Sequence, residues 1–234
     1  MENILKSRQK GLILLRYETP PVVDNSYKDT YLTIKGPAEA TVRERGSRFL
    51  AFAYPVSSQR EADGYVSALR KKYYDATHHC FAWRMGFKGD LARQYDDGEP
   101  PSTAGRPILG QILSAGLTDI LIVVVRYFGG TKLGVPGLIA AYRDAARAAI
   151  EASETVEKVK CRRIEIGFGY ERMNAVMKIM KNYAPDVVEQ VHDLDCRITV
   201  DIREALADAF ISQFEHYNEV NKAEITIKNI SSDE

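Results

Sequence analysis

The stretch "DILIVVVRYFGGTKLGVPGLIAAYRDA", residues 119–145, constrains the fold more than any other part of the chain. Its first part is a continuous apolar run closed by turn residues, the pattern of a central strand in a sheet. Glycines and Pro136 then separate it from an alanine-rich helix expected over Leu138–Ala152. A strand feeding a glycine turn and then a helix start aims backbone N–H groups and the positive end of the helix dipole at one spot. Such a spot suits an anion, with Arg126 and Lys132 adding charge around Gly129, Gly130 and Gly134. The spacing is neither G-x-x-x-x-G-K-S/T nor G-x-G-x-x-G, so neither nucleotide-binding fingerprint applies. The same glycines serve equally well for positive φ and for close backbone approach.

The flanking pattern fills in an α+β chain. Structure begins near "TYLTIKG", and "AEATVRERGSRFLAFAYPV" reads as two strands meeting at Arg45-Gly46-Ser47. Ala62, Tyr65, Val66, Leu69 and Tyr73 recur at the spacing of one helix face. "HHCFAWRMG" alternates as a strand, and "DDGEPP" is a turn before a helix that starts near Ser102 or Thr103. The pattern resets after "ASETVEKVK". A strand on Ile164, Ile166 and Phe168 is followed by a helical stripe on Met173, Val176, Met177 and Met180. The strand pair "DVVEQV" and "CRITVDI", a helix on Leu206, Ala209, Phe210 and Phe214, and a last strand on Ile225 and Ile227 complete the order β-α-β-β-α-β. That order is the ferredoxin-like split motif. The expected organisation is a poorly packed extension over 1–30, a two-layer α/β sandwich over 31–155 and a ferredoxin-like domain over 156–234.

Candidate chemistry is weighed against plainer roles. His78, His79 and Cys80 alternate across a strand, so they do not converge on one metal ion, and the plain reading places His79 in the core with His78 outward beside Arg84. A Cys-His nucleophile pair remains conceivable. Asp96, Asp97 and Glu99 suit magnesium, but equally suit a helix start or a cluster of ion pairs. If Arg43, Arg45, Arg48, Arg84, Arg106, Arg126, Lys132 and Arg143 gather on a sheet face left open by a two-layer fold, they neutralise phosphates there. Tyr127 and Phe128 would then stack on bases.

Charge bears on where a polyanion would bind. The net charge of zero hides a split: residues 1–150 hold 21 Lys and Arg against 15 Asp and Glu, and residues 151–234 hold 11 against 17. The N-terminal half is the candidate for RNA and the acidic C-terminal half for a protein partner. No apolar run reaches the roughly 18 residues of a membrane span. The apolar heart of the N-terminus, Gly11 to Leu15, is shorter than a secretory core of about 7–15 residues. Three scattered cysteines point to a reducing compartment. A cytoplasmic protein without a cofactor is the expectation.

"DATHHCFAWRMG", "YDDGEPPSTAGRPIL" and "VVVRYFGGTKLGVPGLIAAY", in this order and spacing, resemble the IMPACT/YigZ family over about residues 76–143. A weaker pattern extends the resemblance from about Lys35 to the C-terminus. Gly134-Val135-Pro136-Gly137 departs from the Gly-Thr-Gly-Gly of other members. The resemblance implies an N-terminal domain similar to the second domain of a small-subunit ribosomal protein, and a ferredoxin-like domain similar to the last domain of elongation factor G. It implies regulation at the ribosome or on RNA and transfers no catalytic residues. Eukaryotic relatives act in translational control through an additional N-terminal protein-binding domain, and that partnership is not carried over. The candidate phosphate or nucleic-acid contacts are Arg48, His78, Arg84, Arg106, Arg126, Gly129, Gly130, Lys132, Gly134 and Arg143. An enzyme gripping a phosphorylated small molecule with the glycine loop is the alternative.

Overall fold

The computed structural model describes residues 28–230, so the extension expected over 1–30 lies almost wholly outside the described residues. Its last residues belong to the fold instead: Asp29 is buried and strand β1 (Thr30–Ile34) begins directly after it. The chain divides into two compact units, an N-terminal one ending at Arg163 that also takes in Arg203–Ala207, and a C-terminal one beginning at Ile164. The boundary therefore lies later than residue 155. The reason is β7 (Thr155–Val159), which pairs antiparallel with β1 and closes the N-terminal unit.

The N-terminal unit is built on an antiparallel five-stranded sheet of order β2-β3-β6-β4-β5. Its strands are β2 (Ala38–Glu44), β3 (Ser47–Pro55), β4 (His78–Met85), β5 (Leu91–Tyr95) and β6 (Ile120–Tyr127). The apolar run of β6 takes the middle position and is buried from Ile120 to Arg126. Alternation along β3 sends Phe49, Ala51 and Ala53 to one face. There they pack with Ile108 and Ile112 of α2 (Gly105–Ser114) and with Leu138, Tyr142 and Ala145 of α3 (Gly134–Glu151). Phe52 points to the other face, where Phe81, Trp83 and Val123 meet Ala62, Val66 and Leu69 of α1 (Gln59–Lys72). The expected two-layer sandwich is thus three layers, and no whole face of this sheet is open. Helix α1 follows its sequence closely. Ser58 Oγ accepts the Glu61 N–H at 3.3 Å, Glu61 Oε2 accepts the Ser57 N–H at 2.9 Å, and Arg70, Lys71 and Lys72 stand at the negative end of the dipole.

Asp29 ties the segment after Ile202 into this unit. Its carboxylate accepts bonds from Arg203 Nη2 at 2.6 Å, Arg203 Nε at 3.2 Å and the Ala205 N–H at 3.3 Å. The Arg203 hydrogen bonds hold the Asp29 carboxyl below its usual range, against the opposing effect of burial. A folded-state pKa depressed in this way gives stability above the unfolded value near ~3.9 that disappears as pH falls through the folded value. Asp29→Asn is expected to lower unfolding free energy by about 2 kcal/mol at neutral pH, the scale of hydrogen bonds to a charged group. The gap to wild type should shrink as pH falls below about 3.9 in urea titrations, and a gap independent of pH would refute the ion pair as its source.

The C-terminal unit carries β8 (Cys161–Gly169) from Ile164 on, α4 (Met173–Tyr183), β9 (Asp186–Val191), β10 (Asp195–Arg203) up to Ile202, α5 (Glu204–Asn221) from Asp208 on and β11 (Thr226–Ile230). Its sheet has the order β11-β8-β10-β9, that of a ferredoxin-like domain. Ile164, Ile166, Phe168, Ile198, Val200, Phe210 and Phe214 are all buried. The α4 stripe runs through Val176, Ile179, Met180 and Tyr183 instead of Met177, which is exposed. Among the described residues, no helix is long and apolar enough to cross a membrane.

Candidate functional site

All three segments that carry the sequence resemblance meet at one end of the five-stranded sheet. Arg126, at the end of β6, is 5% exposed, and its Nη1 donates to Glu99 Oε1 at 2.5 Å. The same oxygen accepts the Tyr142 hydroxyl of α3 at 2.7 Å. His78 donates from Nδ1 to the Asp97 carbonyl at 2.7 Å and brings Nε2 to 3.7 Å from Glu99. His78 therefore faces the acidic loop and not outward; His79 is buried on the opposite face, as expected. The Cys80 thiol lies 3.0 Å from the Asp96 carbonyl and 3.3 Å from the Tyr142 hydroxyl.

Each carboxylate of the acidic loop has a separate task. Asp96 reaches forward to cap α2, with Oδ1 accepting the Ala104 and Gly105 N–H groups at 3.0 and 2.8 Å and Oδ2 accepting Ser102 N–H at 2.9 Å. That carboxylate is the cap, and neither Ser102 nor Thr103 caps through its side chain. Asp97 accepts the His79 N–H at 2.6 Å and Arg70 at 2.7 Å. These carboxylates are engaged with backbone N–H groups and with Arg70 and Arg126, and among the described residues no group of three or more His, Cys, Asp or Glu could hold a metal ion. Burial, foremost, pushes the Cys80 thiol well above its ordinary pKa, the reverse of what a nucleophile needs.

The glycine loop is braced by the chain. The Gly129 N–H donates to Ser47 Oγ at 3.2 Å, and the Phe128 N–H donates to Thr77 Oγ1 at 3.2 Å. A side chain at Gly129 would enter the backbone of Gly46 and Ser47, and one at Gly46 would come within 2.7 Å of the Gly129 carbonyl. The Gly129 N–H, one of those expected to face an anion, is thus spent, and Arg126 is neutralised by Glu99. Gly130 and Gly134 do take the positive φ that their sequence position suggested, +85° and +70°.

A cluster of positive charge lies next door, on the β2–β3 turn. Arg45 and Gly46 form a two-residue connection with φ of 45° and 80°, the signs of a type I′ hairpin turn. Arg43 and Arg48 stand directly opposite each other in the strand register. Among the described residues neither of them forms an ion pair, while Arg45 Nε lies 3.6 Å from Glu44. With Glu44, Gly46 and Tyr127, the three arginines line a cleft of about 390 Å³. The Arg48 guanidinium rests 4.5 Å over the Tyr127 ring, whose hydroxyl donates to Asp75 Oδ1 at 2.8 Å.

The remaining candidates disperse. Arg84 is bound to the carbonyls of Gly89 and Leu117 at 2.9 Å and holds its turn together. Arg106, Lys132 and Arg143 are exposed on α2, the glycine loop and α3. Of the contacts expected from sequence, Arg48 alone lies in the cleft; Arg43 and Arg45 belonged to the wider set of arginines, and the X-Gly turn signal at Arg45-Gly46 was what could have singled them out.

A model of the Impact N-terminal domain matches residues 45–150. The IMPACT family member YvyE of Bacillus subtilis is 36% identical over 129 residues, 55% of this chain and 59% of that protein. The IMPACT family member YigZ of Escherichia coli is 29% identical over 188 residues, 80% of this chain and 90% of the relative. A crystal structure of a hypothetical protein superposes with a TM-score of 0.64 at 25% identity, covering 88% of this chain and 99% of that one. His78, Cys80, Asp96, Asp97, Glu99, Arg126 and Tyr142 all fall inside the matched domain.

Proposed function

Because the chain belongs to the IMPACT/YigZ family, we propose that it is a translation-associated protein that meets RNA or the ribosome through the arginine cleft at the β2–β3 turn. The translation role rests on the family. So does the likeness of the N-terminal unit to a ribosomal-protein domain. The place of contact rests on one observation: Arg43 and Arg48 are register partners on neighbouring strands, and among the described residues neither forms an ion pair. Like charges directly opposed on neighbouring strands cost stability, and so does a non-glycine residue at positive φ such as Arg45. An approaching phosphate turns that repulsion into shared attraction. A protein partner for the acidic C-terminal unit is a separate part of the proposal, tested by capture with that unit's acidic side chains reversed in sign.

We read the chain as a binding protein and not an enzyme. The elevated Cys80 thiol and the occupied N–H groups of the glycine loop support this over a phosphate-gripping catalyst. Stabilisation by nucleotides with magnesium in a thermal-shift screen would favour the catalyst instead.

Association with ribosomes or structured RNA should weaken steeply with salt. Arg43→Ser is expected to reduce the slope of log affinity against log salt by about 0.7–0.9, one phosphate contact, and to raise unfolding free energy by about 0.2–1 kcal/mol. A wild-type protein that shows no salt-sensitive association ends the proposal.

A further inference from the structure

We propose that Arg48 and Tyr127 form a stacking platform for an unpaired base, so that the cleft takes single-stranded RNA in preference to a duplex; this rests on the phosphate-binding reading above.

The platform is preorganised. Tyr127 is the register partner of Arg48 on β6, so the two side chains leave the same face of the sheet. The phenol is anchored at its far end by Asp75 at 2.8 Å, and its ring carries the guanidinium at 4.5 Å. The anchored ring and the guanidinium lying over it both offer stacking faces, since bases stack on tyrosine rings and on guanidinium planes alike. The space beside them, about 390 Å³, falls within the range of pockets that hold small organic molecules and exceeds what a lone phosphate fills. Gly46 contributes no side chain to it.

The charges around the platform fit a strand. Arg43 and Arg45 lie beside Arg48 in the same cleft and reach the phosphates on either side of a stacked base. Glu44 lines the cleft as well and limits its positive charge. A cleft selecting phosphate density alone has little use for the Glu44 carboxylate in its lining, whereas a carboxylate accepts hydrogen bonds from base amino groups. A duplex keeps its base faces stacked inside and offers this surface only sugar and phosphate.

The test uses the full chain and three labelled RNAs of equal length: a single strand, its duplex, and a single strand with abasic riboses at its centre. The intact strand should bind about tenfold more tightly than the abasic one, which has the same charge. Tyr127→Leu should erase that difference, and Tyr127→Phe, which keeps the ring, should preserve it. Equal affinity of wild type for intact and abasic strands, or for strand and duplex, overturns the platform while leaving the phosphate reading in place. Failure to bind any of the three overturns both.

Discussion

Replacing Glu99 with alanine is expected to lower the unfolding free energy of the N-terminal unit by about 3–5 kcal/mol, the cost of removing one partner from a buried ion pair. Glu99 Oε1 is the acceptor shared by Arg126 and Tyr142, and the side chains of Glu99 and Arg126 are 3% and 6% exposed. Truncation leaves a guanidinium without a counter-charge inside the protein, and a buried hydroxyl facing the thiol of Cys80. In this size range the loss corresponds to a fall in Tm on the order of 10 °C. Glu99→Gln should cost less, because an amide oxygen still accepts from both donors. The double variant Glu99→Ala with Arg126→Met should cost less than the sum of its single changes, since neither charge is then stranded. Urea midpoints for the set decide it. A loss below about 1 kcal/mol for Glu99→Ala would place the pair among ordinary surface ion pairs.

That result bears on how much a chain like this discloses in its sequence. Elements with strong periodicity were readable: the apolar run of β6, the face of α1, and the β-α-β-β-α-β order after Ile164. Strand β5 was not, because "LARQY" is an edge strand with every residue exposed and carries no alternation to read. Strand β7 was hidden too, because "TVEKV" is mostly exposed and short. Only its pairing with β1, more than a hundred residues earlier in the chain, shows where the domain ends. The third layer was missed because alternation shows that a strand has two faces without showing what covers each. The site failed differently. Residue types pointed to Arg126 and the glycine loop as an anion seat, but charge in a sequence has no sign of occupancy. Glu99, 27 residues upstream, neutralises Arg126. Arg43 and Arg48 look like ordinary surface cations until a two-residue turn sets them against each other.

Gly129→Ala is the second large effect expected, about 3 kcal/mol of destabilisation, at the upper end for overpacking because the obstructing atoms are backbone. The new Cβ would fall within the carbonyl of Gly46 and the amide of Ser47, and neither can rotate away as a side chain does. Relief requires the loop after β6 to part from the β2–β3 turn, which also breaks the bond from the Gly129 N–H to Ser47 Oγ. Two other glycines separate this cause from the general cost of losing a glycine. Gly130 has φ +85° but open space around it, so Gly130→Ala should cost only about 1–2 kcal/mol of backbone strain. Gly110 lies within α2 with nothing near its absent Cβ, and Gly110→Ala should stabilise by about 0.5–1 kcal/mol. The same contact carries a functional consequence. Gly46 lines the cleft whose arginines flank Tyr127, so moving the turn shifts Arg43, Arg45 and Arg48 against that ring. Gly129→Ala should therefore weaken RNA binding at temperatures where it is still folded, while Gly130→Ala leaves binding intact. Equal binding by both variants would mean that the loop supports the fold alone, and that the turn holds its arginines in place without it.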